Sequence, residues 1–155
     1  MAYGMWHSAR IEDITINLLV AGENQVIDED NWMKRTNSSI YDTGNALDSD
    51  DILEFSQAID MHALRDYRKA VGKKTRKIVC SLTYSDLKIK ALETGLEKAV
   101  TSGAVANNEN ALWFIDFWRK KTISGILLFT TTRHHLVHIN ESMEAKKRGL
   151  KLNKK

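Results

Sequence analysis

Three of the five histidines in this chain fall within one stretch of five residues, from 134 to 138. His134 and His138 are four residues apart, a spacing that places both imidazoles on the same face of a helix, one turn apart. Helices use this spacing to present two ring nitrogens to one metal ion. By itself such a pair more often consists of surface histidines or of side chains satisfied by hydrogen bonds. A metal centre therefore requires a third ligand from elsewhere in the chain.

The remaining candidates for that ligand differ in their predicted positions. His7 is the best, because it lies on a segment whose apolar residues would pack against the helix that carries the pair. His62 follows a predicted helix cap and is expected at the surface. His135 points about 100° away from the pair and is not expected to join the site. Cys80, the single cysteine, fits a structural thiol better than a nucleophile.

Composition predicts a helical, cytoplasmic, globular protein. The 155 residues include no proline, where an average chain of this length has about eight. The net charge of +3 is too small to indicate nucleic-acid binding. No run approaches the roughly 20 apolar residues of a membrane span, and no signal-peptide pattern is found at the N-terminus.

The first half of the chain is predicted to hold two long helices joined by a long connection. Apolar spacing over residues 2–21 predicts an amphipathic helix that ends at Gly22. Residues 22–59 are predicted to be loop with short helical turns, and a connection this long often packs over a functional pocket. A helix over residues 60–82 follows, with Asp60 as its N-cap.

The helix over residues 60–82 carries a basic face. This face could bind nucleic acid or an anionic substrate, but no aromatic residues interleave with its cations, which favours a solvated helix face. We therefore do not expect nucleic-acid binding. The cations are Arg65, Arg68, Lys69, Lys73, Lys74, Arg76 and Lys77.

The second half is also predicted to be helical. One helix is expected over residues 83–101, and another follows residue 107. The apolar run 111–118 is expected to be deeply buried. Residues 122–131 have a strand-like composition but no partner strand, so we expect them to lead helically into the histidine-bearing helix over 132–148.

We expect one domain over residues 1–149. Gly149 is predicted to end the last helix, and residues 150–155 are predicted to form a solvated basic tail.

Two segments resemble helices of the DinB-like superfamily. Residues 6–13, with the pattern Trp-His-x-x-Arg-Ile-Glu-Asp, and Asn17 after them, are similar to the second helix of that family. Residues 133–141, with the pattern Arg-His-x-x-x-His-Ile-Asn-Glu, resemble its final helix. Residues 113–122, followed by Gly125, resemble the lead-in to that final helix.

The resemblance implies an all-α, four-helix bundle with one divalent transition metal, zinc or nickel, held by His7, His134 and His138. Relatives of this type use a low-molecular-weight thiol such as mycothiol or bacillithiol, and others have no established activity. The implied function is a metal-dependent S-transferase or hydrolase that activates a thiol or water toward a small-molecule substrate. The alternative is a non-catalytic, metal-stabilised stress or interaction protein.

Three carboxylates lie near the predicted ligands in sequence. Glu12, Asp13 and Glu141 could orient the imidazoles by accepting hydrogen bonds from them. A solvated helix carboxylate is the commoner role for residues of this kind.

The sequence departs from the family pattern at its start. The family's first helix should precede the helix with His7, so we expect that wall to be absent or supplied by a partner chain, with extra short helices elsewhere. An apolar groove left open would favour a homodimer.

Overall fold

The computed structural model describes residues 2–152, and their secondary structure is helical, as predicted. In this range the only β pairing is an isolated bridge between Lys90 and Thr122. No helix in the described part of the chain is long and apolar enough to cross a membrane. The α-helices are α1 (Ala2–Asp13), α2 (Trp32–Thr36), α3 (Ser49–Ala58), α4 (Met61–Ser81), α5 (Glu93–Thr101), α6 (Glu109–Arg119), α7 (Ile123–Leu128) and α8 (His134–Leu152). The 3-10 helices are Val26–Asp28 and Asp86–Lys88, and the π-helices are Ile14–Ala21 and Phe129–Arg133.

Helix α1 and the π-helix that continues it form one central rod. Every residue over 6–20 is buried, so the prediction of an amphipathic helix is wrong. Polar residues are tolerated on all sides of this rod because they pair with one another and with neighbouring segments. Gly22 ends the rod as predicted, with a left-handed φ of 67°.

The central rod joins two apolar clusters. Its first turns pack with α2, α3 and α4 around Trp6 and Tyr67. Its π-helical half packs with α5, α6 and α7 around Leu18 and Trp118. Helix α4 begins at the predicted cap, where the Asp60 carboxylate accepts hydrogen bonds from two backbone amides.

Two predictions for the second half need correction. The helix predicted over 83–101 forms only from Glu93, because the residues before it make a 3-10 turn and then an extended segment that bridges to Thr122. The run 111–118 is not buried on every side, since Trp113 is 49% exposed.

Helices α7 and α8 form a continuous rod through the π-helix between them, which confirms the helical prediction for this segment. Gly149 does not end α8, because it is not among the glycines with a left-handed φ and the helix runs on to Leu152. Residues 153–155 of the predicted tail lie outside the described residues.

Candidate metal centre

His7, His134 and His138 meet where α1 packs against α8. Nε2 of His134 lies 3.2 Å from Nε2 of His7 and 3.2 Å from Nε2 of His138. The three candidate ligand atoms all lie within 4.8 Å of one another. Nitrogens around a tetrahedral zinc ion are about 3.3 Å apart when each Zn–N bond is about 2.0 Å. The three imidazoles could therefore hold a divalent ion.

Hydrogen bonds at Nδ1 of His7 and His138 determine which ring nitrogen is available to bind a metal ion. Nδ1 of His7 lies 2.6 Å from the Thr43 carbonyl oxygen, and Nδ1 of His138 lies 2.8 Å from Oε2 of Glu141. Both oxygens only accept, so each Nδ1 carries a proton, and in the neutral ring each Nε2 presents a lone pair. Neutral His134 has one ring proton and can satisfy only one of these Nε2 atoms. A cation between the rings would satisfy all three.

Burial keeps two of the imidazoles in the neutral form that binds metal. His7 is 4% exposed and His134 is 8% exposed. Burial lowers the pKa of His7 to about 4, although its hydrogen bond to Thr43 opposes the shift. Burial, together with the neighbouring imidazoles, lowers the pKa of His134 to about 3. Both rings are therefore neutral at pH 7 and need no deprotonation to bind metal.

The loop over residues 37–48 covers His7. Within it, Thr43 accepts from the His7 ring and the Gly44 carbonyl accepts from the Tyr3 hydroxyl. The Tyr3 ring stacks on His7 with centroids 5.6 Å apart. Gly44 has a φ of +74°, and a Cβ there would lie 3.0 Å from the Tyr3 ring. This loop therefore covers His7, while the expectation that a first helix is absent or supplied by a partner chain stays a prediction.

Both helical rods that carry the histidines contain π-helix close to the site. Ile14–Ala21 begins seven residues after His7, and Phe129–Arg133 ends immediately before His134. In the second segment, the hydroxyls of Thr130, Thr131 and Thr132 donate to carbonyls four residues earlier. Such back-bonding bends helices, and π-helical turns occur frequently at functional sites.

The three carboxylates considered from the sequence have different surroundings. Glu141 contacts a triad imidazole, that of His138. Glu12 instead lies 2.6 Å from His135 and 3.0 Å from Arg68. Glu12 therefore contacts His135 and Arg68 rather than a triad imidazole.

Asp13 also contacts none of the three histidines. It lies six residues after His7 and faces the cluster around Trp6 and Tyr67, where its carboxylate accepts hydrogen bonds from five donors. These are the side chains of Arg10, Asn17 and Tyr67 and the backbone amides of Val26 and Ile27.

The two other histidines lie outside the triad. His62 is at the surface, as predicted, with its side chain 89% exposed. His135 contacts Glu12 and Arg68 on the side of α8 that faces α4. Sequence reasoning did not identify Tyr3 or Thr43, and it named Arg68 only as one cation of the basic face. The Thr43 contact uses a backbone carbonyl, so no side-chain pattern could have indicated it.

Comparison of the chain with protein-family models, curated proteins and solved structures finds no match. Membership of the DinB-like superfamily therefore stays a prediction from the sequence, while the three-histidine cluster stands on the geometry.

Replacing Glu141 with glutamine is expected to weaken metal affinity about tenfold, because an amide oxygen is a poorer acceptor for the His138 Nδ1–H. A competition titration with a chromophoric chelator measures this. Glu144→Gln is the matched control, since Glu144 is also exposed on α8 but bonds Lys147. Equal affinities for the two variants would show that Glu141 does not support the ligand.

Proposed function

We propose that this chain is a DinB-like protein that binds one divalent transition metal, zinc or nickel, through His7, His134 and His138. The observation that supports it is the convergence of three Nε2 atoms, two of them with lone pairs directed by fixed Nδ1 hydrogen bonds. Imidazole nitrogen suits both metals.

We further propose that the site is catalytic, of the S-transferase or hydrolase type. A bound divalent ion would act as a Lewis acid and lower the pKa of a water or a low-molecular-weight thiol. The Thr43 carbonyl and Glu141 orient the imidazoles of His7 and His138 and keep the protons of these two rings on the outer nitrogens. His138 opens the site to solvent, because its side chain is 17% exposed and lines a groove.

The alternative is a metal-stabilised stress or interaction protein without catalysis. One feature of the triad favours this role, because a metal ion bound by it would link α1 to α8. A structural site is normally closed by four ligands, whereas catalytic sites keep a position open. Among the described residues, the cluster contains no fourth histidine, cysteine or carboxylate, which favours the catalytic role.

Metal-loaded protein should be assayed with water and with low-molecular-weight thiols across a panel of electrophiles. We expect turnover that falls at least about a hundredfold in His138→Ala, because the ion loses a ligand. Stoichiometric metal with a blank panel would contradict catalysis and leave the stress or interaction role.

We also propose that the chain self-associates as a homodimer. Helix α8 presents Leu136, Val137 and Leu150, each more than half exposed. Light scattering should give twice the chain mass, and Leu136→Glu should shift it toward the monomer. Leu53→Glu is the matched control, since Leu53 is equally exposed on α3. A folded monomer at high concentration would contradict the dimer.

A further inference from the structure

A groove of about 670 Å³ lies beside the triad. Helices α4 and α8 both pack against α1, and the groove lies between them. Gly4 and Ser8 of α1 form part of its floor, and His138 lies in its wall. Volumes of this size are typical of sites for small molecules. The groove therefore brings any bound molecule next to one of the three proposed ligands.

The apolar part of the groove is built largely from methionine. Met5, Met61 and Met143 line it together with Ile139, so three of the chain's five methionines are gathered here. Methionine side chains are flexible and polarizable, and they adapt to apolar bodies of irregular shape. This surface suits an aliphatic or otherwise apolar ligand body.

The charged part of the groove is entirely cationic. Arg65 and Arg68 of α4 and Lys146 of α8 line it, and no aspartate or glutamate does. Arg68 is neutralised by the buried Glu12, 3.0 Å away. Within residues 2–152, Arg65 and Lys146 form no ion pair with a carboxylate. Two uncompensated cations therefore face one apolar groove.

We propose that this groove binds a small organic anion with an apolar body. Arg65 and Lys146 hold the anionic head group, and the methionines contact the body. The inference rests on the proposed function only in making this anion a substrate of the metal site, because His138 lines the same groove. Part of the basic face expected to be solvated thus recognises a ligand.

The test uses protein labelled with ¹³C at the methionine methyl groups. Octanoate, octan-1-ol and octyltrimethylammonium serve as anionic, neutral and cationic probes with the same chain. Octanoate should shift the signals of Met5, Met61 and Met143 and leave Met33, which lies on α2 outside the groove, unchanged. We expect octanoate to bind at least about tenfold more tightly than the other two probes. Equal affinity for all three would overturn the inference.

Variants test the two cations directly. Arg65→Gln and Lys146→Gln should each raise the octanoate Kd about three- to fivefold, as expected for partly solvated ion pairs. Lys147→Gln is the matched control, since Lys147 is the next residue on α8 but bonds Glu144 outside the groove. An unchanged Kd in both groove variants would overturn the inference.

Titrations of metal-free and metal-loaded wild type separate this inference from the proposed function. Selective octanoate binding by a chain that takes up no metal would support the groove and remove the metal-dependent function. Metal uptake without selectivity for octanoate would overturn the inference that the groove binds an anion, and it would still support the metal site.

Discussion

The Asp13→Asn variant is expected to lose about 3–5 kcal/mol of unfolding free energy, because it leaves a buried charge without its partner. Arg10 and Asp13 are both fully buried, with Nη1 and Oδ2 2.9 Å apart. The Tyr67 hydroxyl donates to the same Oδ2 at 2.7 Å, and burial keeps it protonated by raising its pKa well above 10. An asparagine would turn an amide N–H toward donors and leave Arg10 uncompensated.

Urea denaturation followed by circular dichroism measures this loss. Asp116→Asn is the matched control, because Asp116 pairs with Arg119 at the same three-residue spacing and the same 2.9 Å distance. That pair is about half exposed or more, so its loss should cost less than about 1 kcal/mol. Equal losses in the two variants would show that the buried network does not stabilise the fold as we describe.

The Gly95→Ala variant is expected to lose at least about 3 kcal/mol of unfolding free energy, the upper end of the cost of overpacking a core. A Cβ at residue 95 would lie 2.1 Å from the Leu18 carbonyl oxygen and 3.1 Å from Cα of Leu19. Non-bonded heavy atoms prefer separations of about 3.5 Å. Both obstacles are backbone of the central π-helix, to which α5 is also held by the hydrogen bond from the Leu92 amide to Leu19. No side-chain rotation can relieve the clash.

Gly149→Ala is the control for this prediction. Gly149 is also helical, but a Cβ there meets nothing within 4 Å. The free energy of unfolding of Gly149→Ala should therefore be higher than that of wild type, by no more than about 1 kcal/mol. The same denaturation experiment compares the two, and a Gly95→Ala protein as stable as Gly149→Ala would contradict the close helix packing.

The features that could be predicted from the sequence are those with local causes. The absence of proline indicated helices, the Asp60 cap and the Gly22 terminus depend on a few neighbouring residues, and the spacing of His134 and His138 fixes their shared face. Each of these features follows from backbone geometry over one or two turns, so a few neighbouring residues are enough to predict it.

The features that were missed depend on contacts between distant segments. The central rod was predicted to be amphipathic from the spacing of its apolar residues, yet the polar Arg10 and Asp13 are also buried, with partners such as Tyr67 that come from another helix. Glu12 was placed near the ligands, but it contacts His135, 123 residues away. Hydrophobic periodicity cannot distinguish a polar residue that faces water from one that has a buried partner.

Metal bound by the three histidines is the central property expected of this chain, and elemental analysis of purified protein measures it. Wild type should hold about one divalent transition metal per chain, and His138→Ala should lose nearly all of it, since two imidazoles do not complete a site. His62→Ala, at an exposed histidine outside the triad, should keep the metal. A wild-type chain that holds no metal and takes none up, or a His138→Ala variant that retains it, would contradict the account.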